Sequence, residues 1–249
     1  MFTALHTYTG RYFFKGGENV SSSFCKPAFL KSDEERKKVI LETGINEFAT
    51  LGLEEANINV IAKKAGVSVG LLYKYFATKE DFFLTCVEEA VKTLEEIVSE
   101  VVTSNDKILV RAEKLIRTIQ KTSGADSKYV KLYNEITKIS NEKELSKDVS
   151  ESAKLLANRV EGVSAKAYSD FIAKAQKDGD IRNDCDPKMF AFFFDSVLMT
   201  LQFSYTCDYY RERMKIFCGE DIFENDEKVV DELLKFFESA FTFSRSDLK

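Results

Sequence analysis

The chain has 249 residues, 44% hydrophobic and 31% charged, with a formal net charge of −5, an ordinary balance for a globular protein. Two prolines and eleven glycines are too few for the turns of an all-β protein, and no apolar run approaches membrane-spanning length, so long helices and no transmembrane segment are expected. Five cysteines without a C-x-x-C pair and a single histidine, His6, argue against a disulfide framework, a zinc ribbon and histidine-based catalysis, and fit a reducing cytoplasm.

Residues 1–31 read as an irregular extension, broken by Gly16-Gly17, Ser21-Ser22-Ser23 and Pro27. They do not open with the basic start and apolar core of a secretory signal. Order is predicted to begin at Ser32, the N-cap of a capping box with Glu35. Ile40, Leu41, Gly44, Ile45, Phe48 and Leu51 follow at helical spacing, and Gly52 ends that helix. Asn57 caps a second helix, Ile58–Ala65, which Gly66 stops, and Ser68 caps a third that ends near Phe76. Thr78 caps a fourth, with Glu80 and Asp81 in its first turn and Phe83, Val87 and Val91 along its face. Further helices are predicted at Lys107–Thr122, Tyr129–Ile139, about Lys147–Asp178 and about Asp226–Phe243. Asp186-Pro187 opens one more, apolar almost all round from Met189 to Phe203.

Charge is distributed unevenly. Asn57–Lys79 carries four lysines and no acid, on a chain whose remaining 170 residues to the C-terminus hold a net −8. A basic segment on an acidic body is expected where one part of a protein meets phosphate and another does not. Within the segment, two short helices joined by Ala65-Gly66-Val67-Ser68 describe a helix-turn-helix. Val69, Leu72 and Phe76 take the core side with Ile58, Ile61 and Ala62, which leaves Ser68, Gly70, Leu71, Lys74 and Tyr75 outward and Tyr73 at the edge.

Residues 33–82 resemble the DNA-binding domain of the TetR family of bacterial transcriptional repressors. The resemblance is carried by Phe48, Gly52, Ile61-Ala62, Ala65-Gly66-Val67-Ser68, Gly70, Leu72-Tyr73, Tyr75-Phe76 and Lys79-Glu80. It implies that Asn57 and Asn59 touch the phosphate backbone or a groove edge. It implies that Val69, Gly70, Leu71, Tyr73, Lys74 and Tyr75 occupy recognition-helix positions beside Ser68, and that Lys79 binds phosphate. Leu71 stands where the family often has Thr or Ser, Val69 where it often has a polar residue, and Asn59 where an arginine is frequent. Base reading is therefore expected to lean on apolar contact with thymine methyl groups.

The resemblance further implies that residues 83–249 form a helical ligand-binding and dimerisation domain behind a helix-turn-helix domain at 32–82. Two apolar helices per subunit would make a four-helix interface: the one through Met189–Phe203 and the last, striped by Val229, Leu233, Phe236, Phe237 and Phe241. Tyr129, Tyr133, Tyr168, Phe171 and Phe203 are the candidate pocket residues. Asp180, Asp184 and Asp186 lack the closing Glu of a calcium loop, and no nucleophile–base pair appears, so no metal, cofactor or enzymatic activity is expected. The expectation is an all-α, homodimeric, cytoplasmic regulator that binds double-stranded DNA and is released from a palindromic operator by a small molecule. The alternative is a protein-interaction factor of the same fold that binds DNA without sensing a ligand. A body cavity of roughly a few hundred Å3 separates the first from the second.

Overall fold

The computed structural model describes residues 24–102, 104–122, 127–139 and 147–242, and these are helical with no strand among them. In chain order the helices are α1 (Pro27–Leu30), α2 (Glu34–Glu55), α3 (Ile58–Lys64), α4 (Val69–Tyr75), α5 (Lys79–Val102) and α6 (Ile108–Thr122). They continue with α7 (Ser127–Ile139), α8 (Lys147–Asp178), α9 (Pro187–Thr206), α10 (Asp208–Cys218) and α11 (Asp226–Thr242), and a single 3-10 turn covers Ile222–Glu224. Phe243, the expected end of the last helix, and residues 1–23 of the expected extension lie outside the described residues.

Local capping chemistry sets most of these starts. Asn57 accepts from the Asn59 amide, Ser68 from Leu71, and Asp186 from Lys188 and Met189. Thr78 and Asp81 cap each other reciprocally, the Asp81 amide on the Thr78 hydroxyl and the Thr78 amide on the Asp81 carboxylate. The start of α2 differs from expectation by one residue. Asp33, not Ser32, is its N-cap and accepts from the Arg36 amide at 2.9 Å. Ser32 is committed elsewhere, since its hydroxyl donates to the Phe29 carbonyl at 2.7 Å and closes α1.

Two cores share the chain. The first joins α2, α3, α4 and α5 to α7 through Ile40, Phe48, Ile61, Leu72, Phe76, Phe82, Leu132 and Ile136. Phe76 and Phe82 stack at 4.4 Å, with Phe48 edge-on to Phe82 and Phe83. Gly44 lets α2 and α5 meet: a Cβ there would lie 2.6 Å from Phe82 Cζ and 2.7 Å from Cys86 Sγ. Leu51, expected on the buried stripe, is exposed, because α2 leaves helical geometry at Gly52 and it is Leu53 that turns into the core. The second core packs α6, α8, α9 and α11 around Ile116, Ile172, Phe194 and Phe237. A two-pronged ion pair from Arg117 to Glu227 ties α6 to α11 at 2.7 and 2.9 Å.

Two elements were not anticipated. α10 has no buried residue, so no apolar period announces it. α1 falls inside the stretch expected to be irregular, and its Phe29, 3% exposed, belongs to the first core. Phe29 lies 5.4 Å from the Tyr75 ring and 4.9 Å from Phe76. The Lys26 amide donates to the Tyr75 carbonyl at 2.7 Å, which holds the segment on α4. The fold therefore begins before Ser32. Phe29→Ala is expected to cost about 3–5 kcal/mol of stability, as for other buried aromatic truncations, measured by urea denaturation. A wild-type midpoint would show that residues 24–31 add nothing to the core.

Candidate nucleic-acid interface and effector cavity

α3 and α4 meet at the Ala65–Ser68 turn, where Gly66 takes φ +67° and the Val67 amide bonds the Ala62 carbonyl at 3.0 Å. Ile58, Ile61, Ala62, Leu72 and Phe76 face inward and are buried. The opposite surface exposes Asn57, Asn59 and Lys63 on or beside α3, and Ser68, Gly70, Tyr73 and Lys74 on or beside α4. Nothing lies within 4 Å over Gly70 except the Ser68 hydroxyl, so a flat backbone patch opens beside the cap.

Several expected contacts take other roles. Tyr75 is 4% exposed and packs on Phe29; this corrects its assignment to the outer face. In a helix of seven residues the half-turn at Tyr75 is ambiguous, and α1 settles it by covering that side. Tyr73 is 47% exposed. Val69 and Leu71 are half-buried against the first core and present only part of each side chain. Lys79 donates to the Glu54 and Ala56 carbonyls at 2.9 and 3.4 Å, which caps the end of α2. Lys64 pairs with the buried Glu47 carboxylate at 2.6 Å. Lys26, by contrast, adds an exposed cation to α4 by donating from Nζ to the Tyr73 carbonyl at 2.8 Å. Its sequence signal was Lys26-Pro27, a proline at the first helical position.

α7 links this domain to the body. The Leu53 amide donates to Glu135 Oε1 at 3.3 Å. Glu135 sits directly over Gly52, whose φ of +77° with ψ 177° is a conformation that glycine alone adopts readily. Two residues earlier, Tyr133 donates its hydroxyl to Glu161 of α8.

That bond borders a partly open cavity of about 110 Å3 between α6, α7, α8 and α9, with the exposed Glu161 on its rim. Leu115, Ile119, Val130, Leu198 and Met199 supply apolar wall, and Tyr133, Tyr168, Glu161 and Asp195 supply its polar chemistry. Burial, with the charge of Glu161 in support, pushes the Asp195 carboxyl up to about 6. Burial chiefly holds both tyrosine phenols well above their usual range, and the charge of Asp195 adds to the effect. Two of the five expected pocket residues, Tyr133 and Tyr168, thus line the cavity. Tyr129 lies instead on a groove with Cys25 and Arg159. Phe171 is core, packed on Phe194 at 5.7 Å under the Arg111 guanidinium at 5.6 Å. Phe203 packs on Tyr210 of α10 at 5.4 Å. Sequence reading missed Asp195, although it is the one carboxylate within the apolar α9, and Glu161, which shares a helical face with Tyr168 seven residues on. Among the described residues no His/Cys/Asp/Glu group is placed to hold a metal ion, and no helix is long and apolar enough to cross a membrane.

Comparison with known proteins bears on the whole arrangement. Residues 40–86 match the family of bacterial regulatory proteins, tetR family. The chain is 27% identical over 89 residues to the fatty acid metabolism regulator protein of Bacillus subtilis (strain 168), over 34% of this chain and 46% of that protein. It is 32% identical over 79 residues to the HTH-type transcriptional regulator HbdR of Aromatoleum sp. (strain CIB), over 32% of this chain and 33% of that one. The chain therefore spans less than half the length of either curated relative. Among solved structures, the transcriptional regulator FadR from Bacillus subtilis in complex with stearoyl-CoA is alike in fold, with TM-score 0.57 and 17% identity over 79% of this chain and 96% of that one.

The two tyrosines of α4 are expected to respond oppositely to truncation. Tyr75→Ala should lose about 3–5 kcal/mol in denaturant titration, as a buried aromatic does. Tyr73→Ala should stay within about 0.5 kcal/mol of wild type, as exposed substitutions do.

Proposed function

We propose that this chain, whose residues 40–86 match the tetR family of bacterial regulatory proteins, is a dimeric, cytoplasmic regulator that binds double-stranded DNA and is released by a small molecule. The observation that carries the reading is the surface of α3 and α4. It comes from a segment with four lysines and no acid, and it turns Asn59, Lys63, Tyr73 and Lys74 to solvent around the Ser68–Gly70 patch. A short helix presented in this way enters a major groove, and the lysines beside it meet phosphate. Lys79, anchored on α2, keeps a third N–H for the same purpose. Leu71 offers the exposed part of its side chain to a thymine methyl group.

The second copy would dock on α9 and α11. Met189, Phe192, Phe193, Ser196 and Thr200 follow one face of α9 at spacings of three and four, and the first three are exposed large apolar residues. On α11, Phe236 is 56% exposed while Phe237 is core, so Phe236 alone of that pair is free to cross an interface. Release would run through α7. An effector that binds better when Tyr133 and Glu161 take a second arrangement would draw α7, and with it the Glu135–Leu53 link, away from the DNA-bound spacing. The coupling needed is ordinary, since about 3 kcal/mol changes affinity about 150-fold.

The cavity of about 110 Å3 falls short of a large sensor pocket, which favours the protein-interaction alternative. Its unpartnered polar groups favour a sensor, because a body built only to hold a surface gains nothing from half-burying Asp195 without a donor. DNA capture with the purified protein tests the reading: an enriched palindrome supports it, and uniform weak binding to all sequences sinks it. On that site Lys74→Ala should weaken operator and scrambled duplexes alike. It should also flatten the salt dependence by about two units of slope per symmetric dimer.

Oligomeric state is checked by sedimentation. Phe193→Asp with Phe236→Asp should give folded monomers, because both side chains are exposed in the single subunit; a variant still dimeric would place the interface elsewhere.

A further inference from the structure

We propose that the partly open cavity between α6, α7, α8 and α9 is a site for a small organic cation, a protonated amine or quaternary ammonium group carrying one ring or short alkyl chain. The proposal rests on the reading of this chain as an effector-responsive regulator, and it names the chemistry of that effector.

The lining is one-sided. Two carboxylates, Glu161 and Asp195, face the cavity, and none of its lining residues is basic. Asp195 makes no hydrogen bond or ion pair among the described residues, and its nearest charged neighbour in the cavity is the like-charged Glu161. A partly buried carboxylate with no donor is costly, and a cation brought to it removes that cost. Glu161 is different: the Tyr133 hydroxyl holds one of its oxygens and leaves the other to a ligand.

Tyr168 is a second, independent indication. It is 5% exposed, lines the cavity, and its hydroxyl has no hydrogen-bond partner among the described residues. That hydroxyl is left for a group bound in the cavity to pair with. Tyr133 of α7 and Tyr168 of α8 both line the cavity, and an ammonium is attracted to aromatic faces. Apolar wall from Leu115, Ile119 and Leu198 suits an apolar substituent, beside the neutral polar Thr118, Thr122, Ser164 and Gln202. Size limits the ligand: about 110 Å3 is below the dry cavity of about 150 Å3 that holds a benzene ring, so a short chain fits within and a single ring is the upper limit, reaching into the open mouth of the cavity. An anion would meet two carboxylates without a basic residue, and a neutral molecule would bring Asp195 no counter-charge.

The test uses the full chain and three probes of one shape: benzylamine, benzyl alcohol and benzoate, titrated by calorimetry. Benzylamine is expected to bind, with benzyl alcohol weaker by about tenfold and benzoate undetectable, the difference expected of a desolvated charge pair. Asp195→Asn should lower benzylamine affinity by about tenfold or more while leaving benzyl alcohol unchanged. Tyr168→Phe, which keeps the ring and the packing, should lower it by a few-fold and serves if Asp195→Asn fails to fold. Benzoate binding as tightly as benzylamine, no benzylamine binding by a protein that still holds DNA, or benzylamine binding unmoved by either variant overturns the proposal. Benzylamine that binds with the expected sensitivity but does not release DNA supports the cation site and overturns the regulatory reading instead.

Discussion

Helix α7 is held by hydrogen bonds to both halves of the molecule, and the relation between those halves depends on that. On one side its Glu135 carboxylate accepts from the Leu53 amide over the glycine at 52. On the other its Tyr133 hydroxyl donates to Glu161. Leu132 and Ile136, which flank this pair, are fully buried in the same core as Phe48 and Phe82. Hydrogen bonds to charged groups contribute about 1.5–3 kcal/mol, and the 3.3 Å bond to Leu53 belongs at the weak end. The apolar packing therefore holds α7 in place, and the polar contacts set its register. A helix fixed in this way moves as a unit, which is what a proposed signal from cavity to DNA requires.

The charge arrangement divides along the same line. Lysines at 63 and 74 and the unexpected Lys26 stand exposed around α3 and α4, while Lys64 and Lys79 are tied down on Glu47 and on the end of α2. In the body the sign reverses, and the exposed Glu161 and half-buried Asp195 line one cavity without a basic residue. A surface cation is cheap because water screens it; a half-buried carboxylate without a donor costs more. The second arrangement therefore says more about function than the first, even though it involves fewer charges.

Exposed apolar surface is concentrated on α9, α10 and α11. Phe192, Phe193, Ile216, Phe217 and Phe236 are all large, apolar and exposed. α9 had to be apolar nearly all round to satisfy the second core on one side and still present phenylalanines on the other. α10 buries no residue fully: it adds the partly buried Met214 to the second core, and its ring contacts across elements are Tyr210 on Phe203 and the Arg211 guanidinium on Phe223.

What the amino-acid order alone determined was local. The caps at Asn57, Ser68 and Asp186, the turn at Gly66 and the helical class of the body follow from interactions spanning two to four residues. Tyr133 and Tyr168 were legible as pocket residues because large aromatics at helical spacing must face something. Tertiary structure decided the rest. Tyr75 is core and Tyr73 is surface because Phe29, more than forty residues earlier, covers one flank of α4. Ser32 lost the cap of α2 to Asp33 because α1 claimed its hydroxyl. Glu161 and Asp195 became one site because α8 and α9 pack face to face. In each case the deciding partner is distant in sequence, and a helical period reports which residues share a face but not what that face will meet.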